Sequence, residues 1–379
     1  MSPPVYDVLI IGAGIVGAAC AAACAREKLR VGIVEGEMIG GGATAAGMGH
    51  LVVMDDSEAQ FALTHYSRTL WRELSAELPV ELPVDVEYDP CGTIWVAADD
   101  DEMRAVADKK RFYESRGSRA EILDARSLRS AEPHLREGLP GGLLVPEDAV
   151  IYAPCAARFL AEQAQSRGAQ LHIPAVATEI TSDGVRLNNG STLSARFTVL
   201  AGGAWSSTLL PGLAVRKRKG HLVITDRYPG FVRHQLVELG YLKSAHSTTE
   251  DSVAFNVQPR KTGQLLIGSS RQFDTENSAI DHAILTRMIA RAREFMPALG
   301  RFSAIRSWTG FRPATPDKLP LIGPAPGRDN LFLATGHEGL GITTSLATAE
   351  LLVDQLLGRE SKIPVAPYLP NRVCEGVHA

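Results

Sequence analysis

Cysteine is scarce and scattered: five in 379 residues, at Cys20, Cys24, Cys91, Cys155 and Cys374. The odd count and the lack of metal-ligand spacing argue against a disulfide framework and for reduced thiols. Cys20 and Cys24 stand one helical turn apart among alanines, which reads as core packing rather than a redox pair. An excess of positive charge is also missing. Lys and Arg number 39 against 43 Asp and Glu, for a net charge of -4. That removes the general electrostatic reason to bind nucleic acid or an anionic membrane. Residues 8–25 carry no charge, yet Asp7 stands where a basic leader segment should be, and glycines interrupt the run. Neither a signal peptide nor a membrane span fits, so the expected location is the cytoplasm. No internal repeat or low-complexity segment occurs. His337-Glu338 is not half of a zinc motif, because Gly341 occupies the place of the second histidine.

What is present is concentrated first in residues 7–35. Asp7-Val8-Leu9-Ile10-Ile11 is followed by Gly12-Ala13-Gly14-Ile15-Val16-Gly17, an alanine-rich run, and Leu29 through Val34-Glu35-Gly36. This reads as strand, glycine turn, helix, strand and terminal acid, the full context of a dinucleotide-binding fingerprint. Gly12 permits the tight turn, Gly14 the close approach of a pyrophosphate, and Gly17 the packing of helix on strand. The helix start offers N–H groups and a positive dipole end to phosphate. Glu35 stands where a carboxylate would meet a ribose diol. Gly40 through Gly49, rich in small residues, must pass close to something, and ends at His50.

Further along, the pattern predicts helices near 58–78, 154–168, 280–295 and 342–357, and strands at 93–96, 142–145, 171–180 and 197–205. Asn188-Asn189-Gly190 signals a hairpin. Short alternating stretches at 221–225, 253–258 and 265–269 predict an antiparallel sheet. The basic run Arg216-Lys217-Arg218-Lys219 reads as a solvated strand edge, and the acids at 99–102 as a helix cap. Near the C-terminal end, a strand at 330–335 runs into the glycine turn Gly336-His337-Glu338-Gly339-Leu340-Gly341 and the helix starting at Ile342-Thr343. This is a second anion-stabilising turn.

Segments 8–35, 43–48, 198–205, 258–270, 308–324 and 336–343 together resemble the D-amino-acid oxidase, glycine oxidase and sarcosine oxidase family of flavoproteins, over nearly the whole chain. The resemblance implies an α/β (α+β overall) protein: a glutathione-reductase-like Rossmann domain binding FAD, with an antiparallel-sheet substrate domain. The expected division is 1–85, 140–210 and 306–379 for the discontinuous FAD domain, and 86–139 and 211–305 for the substrate domain. It implies that Val176, Ala201, Gly202 and Trp205 meet the nucleotide half. Gly42, Ala43, Thr44, Ala46, Gly47 and Met48 would line the pyrophosphate and one flavin edge, and 336–343 the other. Sarcosine oxidase-like enzymes attach FAD through a cysteine aligned near Gly310, and dimethylglycine dehydrogenase-like enzymes through a histidine aligned near Thr44. Neither nucleophile is present, so the FAD is expected to be non-covalent.

The family reaction is hydride transfer from the carbon beside an amine to flavin N5. With no second fingerprint there is no NAD(P)H site, and substrate must reduce the flavin. Arg312 is the expected carboxylate anchor, able to grip with two parallel hydrogen bonds; Arg260 and Arg271 are weaker candidates. Glycine oxidase uses a tyrosine where Asn256 stands here, and Tyr241 could substitute. His50, His221, His337 and Glu338 could face the ring or substrate, though a structural role is the simpler reading of each histidine. Residues 264–271 and 336–343 look like the D-hydroxyproline and proline dehydrogenase branch. They give an expectation of D-hydroxyproline oxidation, with electrons passed to an electron-transfer partner. The alternatives are a peroxide-producing glycine or sarcosine oxidase and, in another class, a flavin-bearing subunit of a larger complex.

Overall fold

The parallel strands of one sheet all end at the same edge, and that edge organises the molecule. The computed structural model describes residues 6–240, 251–273 and 275–373. Strand β1 (Tyr6–Ile11), buried almost throughout, leads through Gly12 into helix α1 (Ile15–Arg26), and the chain returns as β2 (Val31–Val34). β1 pairs in parallel with β2 on one side and with Thr192–Leu200 on the other. Thr192–Leu200 pairs in parallel with Leu331–Thr335, and β2 with Gln170–His172. A hairpin, Gly184–Leu187 with Thr192–Leu200, turns at the predicted Asn-Asn-Gly. α1 is almost wholly buried because alanines let it sit between Ala153–Ser166 and Gly341–Leu357. Cys20 and Cys24 are buried in it, and burial pushes the Cys24 thiol up to about 12, so it stays an inert packing group.

The second sheet has the strand order Ala304–Ala314, Arg216–Arg227, Gln264–Arg271, Ser252–Pro259, Gln235–Glu238, Thr93–Ala97, Gly141–Val145, Glu121–Asp124. It is antiparallel except where Gln235–Glu238 runs parallel to Thr93–Ala97, a pair far apart in sequence. Gly141–Val145 and Ala304–Ala314 thus belong to this sheet, whereas the expected division placed 140–210 and 306–379 with the cofactor domain. Helix His282–Phe295 covers one face, with Phe295 stacked on Phe255 at 4.4 Å. The predicted helix at 58–78 is α-helical over Glu58–Leu74, capped by the Ser57 side chain, and tightens to a 3-10 turn at Ser75–Glu77. The acidic run behaves as expected: Asp99 caps Asp100–Glu114 through the Glu102 N–H.

One expectation is overturned. Arg216–Arg227 is an inner strand, so Arg218 and Lys219 are not on a solvated edge; they are 4% and 3% exposed. Lys219 donates to the Ala279 carbonyl and Arg218 to Glu338. Burying two cations needs such partners. The partners come from distant parts of the chain, which local composition could not disclose.

Candidate active site

β1, β2, Thr192–Leu200 and Leu331–Thr335 deliver Gly12, Glu35, Ala201 and Gly336 to one carboxyl edge, where ligands bind in such sheets. A cavity of about 750 Å³ opens there. The first turn has the predicted tight geometry. Gly12 has φ +102°, and a Cβ on it would sit 2.7 Å from the Ala201 carbonyl oxygen. A Cβ on Gly17 would overlap the Gly12 carbonyl oxygen, so this glycine sets the helix-on-strand contact without lining the cavity. Ile15 N–H at the helix start donates to Thr44 Oγ1 at 3.0 Å. Glu35 has backbone partners of its own: its Oε2 accepts from Ala13 N–H at 2.7 Å and its Oε1 from Glu37 N–H at 2.9 Å. The acid therefore ties the glycine turn to the end of β2.

The predicted Gly14, Ile15, Val16, Gly36, Gly42, Ala43, Thr44, Ala46, Gly47 and Met48 all line this cavity, as do Val176, Ala201, Gly202 and Trp205. Residues 42–46 form a short helix, α2 (Gly42–Ala46). The substrate sheet closes directly on it: a Cβ on Gly310 would overlap Ala46 Cβ. Gln258 Nε2 donates to the Met48 carbonyl at 2.8 Å, a second tie across the seam. From the other side come His337, Glu338, Gly339, Gly341 and Ile342, with the N-terminus of Gly341–Leu357 opening on the cavity. Gly336 and Thr343 stand behind the wall. Thr343 Oγ1 donates to the His50 carbonyl at 2.8 Å and holds that strand.

A smaller cavity of about 80 Å³ adjoins the large one. Its wall includes Arg271, Arg312, Lys318, Asp56, Gln235, Trp95 and Leu340. His50, Asn256, Arg312, Glu338 and Gly339 belong to both walls. Arg312 fits beside Gly220, whose missing side chain leaves room for the guanidinium, and its Nη1 donates to the Ser270 carbonyl at 3.0 Å. Glu338 pairs with Arg218, and its Oε1 lies 3.9 Å from Arg271 Nε. Burial pushes its carboxyl up, but Arg271, Arg218 and Arg312 outweigh that and hold it below the ordinary carboxylate value.

The histidines divide. Burial, aided by Arg312, lowers His50 to about 3, and burial alone lowers His337 to about 3, so both rings are neutral. His337 Nε2 bonds Thr348 Oγ1 at 3.0 Å, a structural contact. His221 is structural too. Its Nε2 accepts from Asp281 N–H at 3.0 Å, which puts the proton on Nδ1, 2.9 Å from Ser270 Oγ. Arg260 leaves the candidate list: its Nε donates to Glu87 at 2.7 Å in a partly buried pair. Tyr241 lies outside the described residues. Sequence reasoning missed Gly220, Arg218, Lys318 and Trp95, and ranked Arg271 low. Only the repeated basic residues of 216–219 gave any signal, and it was misread.

Comparison with known proteins agrees. The family model DAO, FAD dependent oxidoreductase, matches residues 7–355. Glycine oxidase of Geobacillus kaustophilus is 29% identical over 378 residues, covering 97% of each chain. Its crystal structure superposes with a TM-score of 0.86 over 97% of this chain and 98% of that one. Glycine oxidase of Pseudomonas aeruginosa is 28% identical over 96% of this chain and 98% of the other. L-proline dehydrogenase from P. horikoshii, at 20% identity and TM-score 0.86 over 99% of each chain, shares the fold. The cavity suits FAD on its own features. Gly12 and Gly17 make a turn that a Cβ would fill, two helix N-termini open on the cavity, and the buried Ser269 Oγ in its wall has no hydrogen-bond partner among the described residues. No helix among the described residues is long and apolar enough to cross a membrane. The chain belongs to the DAO family of FAD-dependent oxidoreductases.

Proposed function

We propose that this enzyme oxidises a small amino acid of the glycine or sarcosine type, giving an imine that water hydrolyses, with oxygen as the final electron acceptor and hydrogen peroxide as product. The observation that carries this reading is the position of Arg312. It stands on the partition between a dinucleotide-sized cavity and one of about 80 Å³, a space suited to a small substrate. There its planar fork takes the substrate carboxylate through paired charge-assisted hydrogen bonds. That contact fixes the α-carbon at the partition, which is the positional contribution this reaction needs most. When bound, FAD supplies the hydride acceptor. Glu338, kept ionised by its arginines, offsets the positive charge gathered beside Arg312. The helix N-terminus at Gly341 supplies positive potential to the same wall.

The FAD is held non-covalently in this reading. Gly310 presses on Ala46 with no side chain between them, and Thr44 is engaged with the start of α1. The glycine oxidase relatives favour the oxidase over D-hydroxyproline oxidation, and no feature of the small cavity singles out a hydroxylated ring. The test is anaerobic bleaching of the purified flavoprotein by glycine, sarcosine, proline and 4-hydroxyproline, followed by peroxide measurement in air. Bleaching by glycine or sarcosine with one peroxide per turnover supports the proposal. Turnover only with a dye or quinone replaces the oxidase by a dehydrogenase with an electron-transfer partner. Failure of every amino acid to bleach the flavin defeats it.

A further inference from the structure

The partition between the two cavities carries four side chains: His50, Asn256, Arg312 and Glu338. A substrate must present its reacting C–H bond across this partition. The carbon that gives up hydride also bears the amine, so the nitrogen lies there as well. Arg312 and Glu338 are ionic. The other two are neutral and have a different property: His50 Nε2 and Asn256 Oδ1 are buried and make no hydrogen bond among the described residues. Buried polar atoms are costly to leave unsatisfied. Two of them on one short partition mark a place for a ligand with two donors.

Both groups are rigidly placed. Asn256 sits on an inner strand, opposite Val237 on one side and Gly268 on the other. His50 is fixed by the Thr343 hydroxyl on its carbonyl and by pairing with Val150. Its ring is held neutral by burial and by Arg312, so Nε2 can serve as an acceptor throughout the working pH range.

We propose that His50 and Asn256 form the amine subsite, in which Nε2 and Oδ1 each accept one N–H of a primary amine while Arg312 holds the carboxylate. The proposal rests on the amino acid reading above and narrows its substrate class. A neutral primary amine has two N–H donors and satisfies both acceptors; an N-methyl or cyclic secondary amine has one and leaves an acceptor unpaired. Binding through the two hydrogens leaves the nitrogen lone pair uncommitted. That pair becomes the second C–N bond as the α-hydrogen leaves with its two electrons for the bound cofactor, giving an iminium ion.

The experiment uses the FAD-loaded enzyme and two ligands that it cannot oxidise. One is 2-aminoisobutyrate, which has an amine but no α-hydrogen; the other is isobutyrate, which has no amine. Binding is read from the change in the flavin spectrum. The expected result is that Asn256→Leu and His50→Phe each weaken 2-aminoisobutyrate about tenfold, leave isobutyrate unchanged, and that His50→Gln recovers part of the loss. Wild type should also show higher kcat/KM for glycine than for sarcosine, with the ratio reduced in both variants. Parallel loss of isobutyrate, no loss of either ligand, or a wild-type preference for sarcosine overturns the amine subsite while leaving amino acid oxidation intact. If no amino acid bleaches the wild-type flavin, the broader reading falls and the subsite falls with it.

Discussion

Arg312 lies across Gly220: a Cβ on Gly220 would overlap both terminal nitrogens of the guanidinium. The two strands are neighbours, with Gly220 registered to Gly310 and Arg218 to Arg312. Gly220→Ala should therefore displace the proposed carboxylate anchor without touching the fingerprint. Hydrogen bonds to charged groups contribute about 1.5–3 kcal/mol, so KM for glycine should rise on the order of ten- to a hundredfold. Flavin content per protein should stay that of wild type; a fall in flavin content with unchanged KM would contradict this.

Glu338 is the countercharge of Arg218 inside the protein. Glu338→Gln removes the charge and keeps the shape, and breaking a buried pair from one side costs about 3 kcal/mol. The pH dependence has a definite sign. The folded-state carboxyl lies below its ordinary value of 4.5. Its stabilisation is complete above that pH and is lost as pH falls through the lowered value. The difference in Tm between wild type and Glu338→Gln should thus be largest at neutral pH and close in acid. A gap that widened in acid would refute the account.

Gly17→Ala tests the turn. Its Cβ would overlap the Gly12 carbonyl, which is backbone and cannot step aside without moving β1 or α1. Overpacking of this kind costs about 1–3 kcal/mol or more. The variant should purify with little flavin and a lowered Tm. Retention of full flavin content would show that the helix can shift freely.

His337 is a buried neutral ring at about 3, held by Thr348. The unfolded chain protonates it near 6.5, so unfolding takes up a proton between those values and stability falls as pH drops from about 6.5. His337→Asn should flatten the decline of Tm between pH 6.5 and 5, measured by thermal melts in a buffer series. An unchanged slope would place the acid sensitivity elsewhere.

The sequence by itself determined the cofactor end of this protein. Gly12, Gly14, Gly17 and Glu35 act within a span of 24 residues, where order along the chain dictates proximity, and the second glycine turn at 336–341 carries the same local signal. Strand β1, helix α1 and the capped helices were legible for the same reason: alternation, alanine content and caps are short-range properties. Only the tertiary structure decided the substrate end. Arg218 looks like a surface charge until Glu338, 120 residues away, is folded against it. Gly220 looks incidental until Arg312 crosses it, and Arg260 looks available until Glu87 takes it. His50 and Asn256 share a partition although 206 positions separate them. A strand's pattern shows which face is buried; which distant side chains meet on that face is fixed by pairing register and by the packing of one sheet on the other.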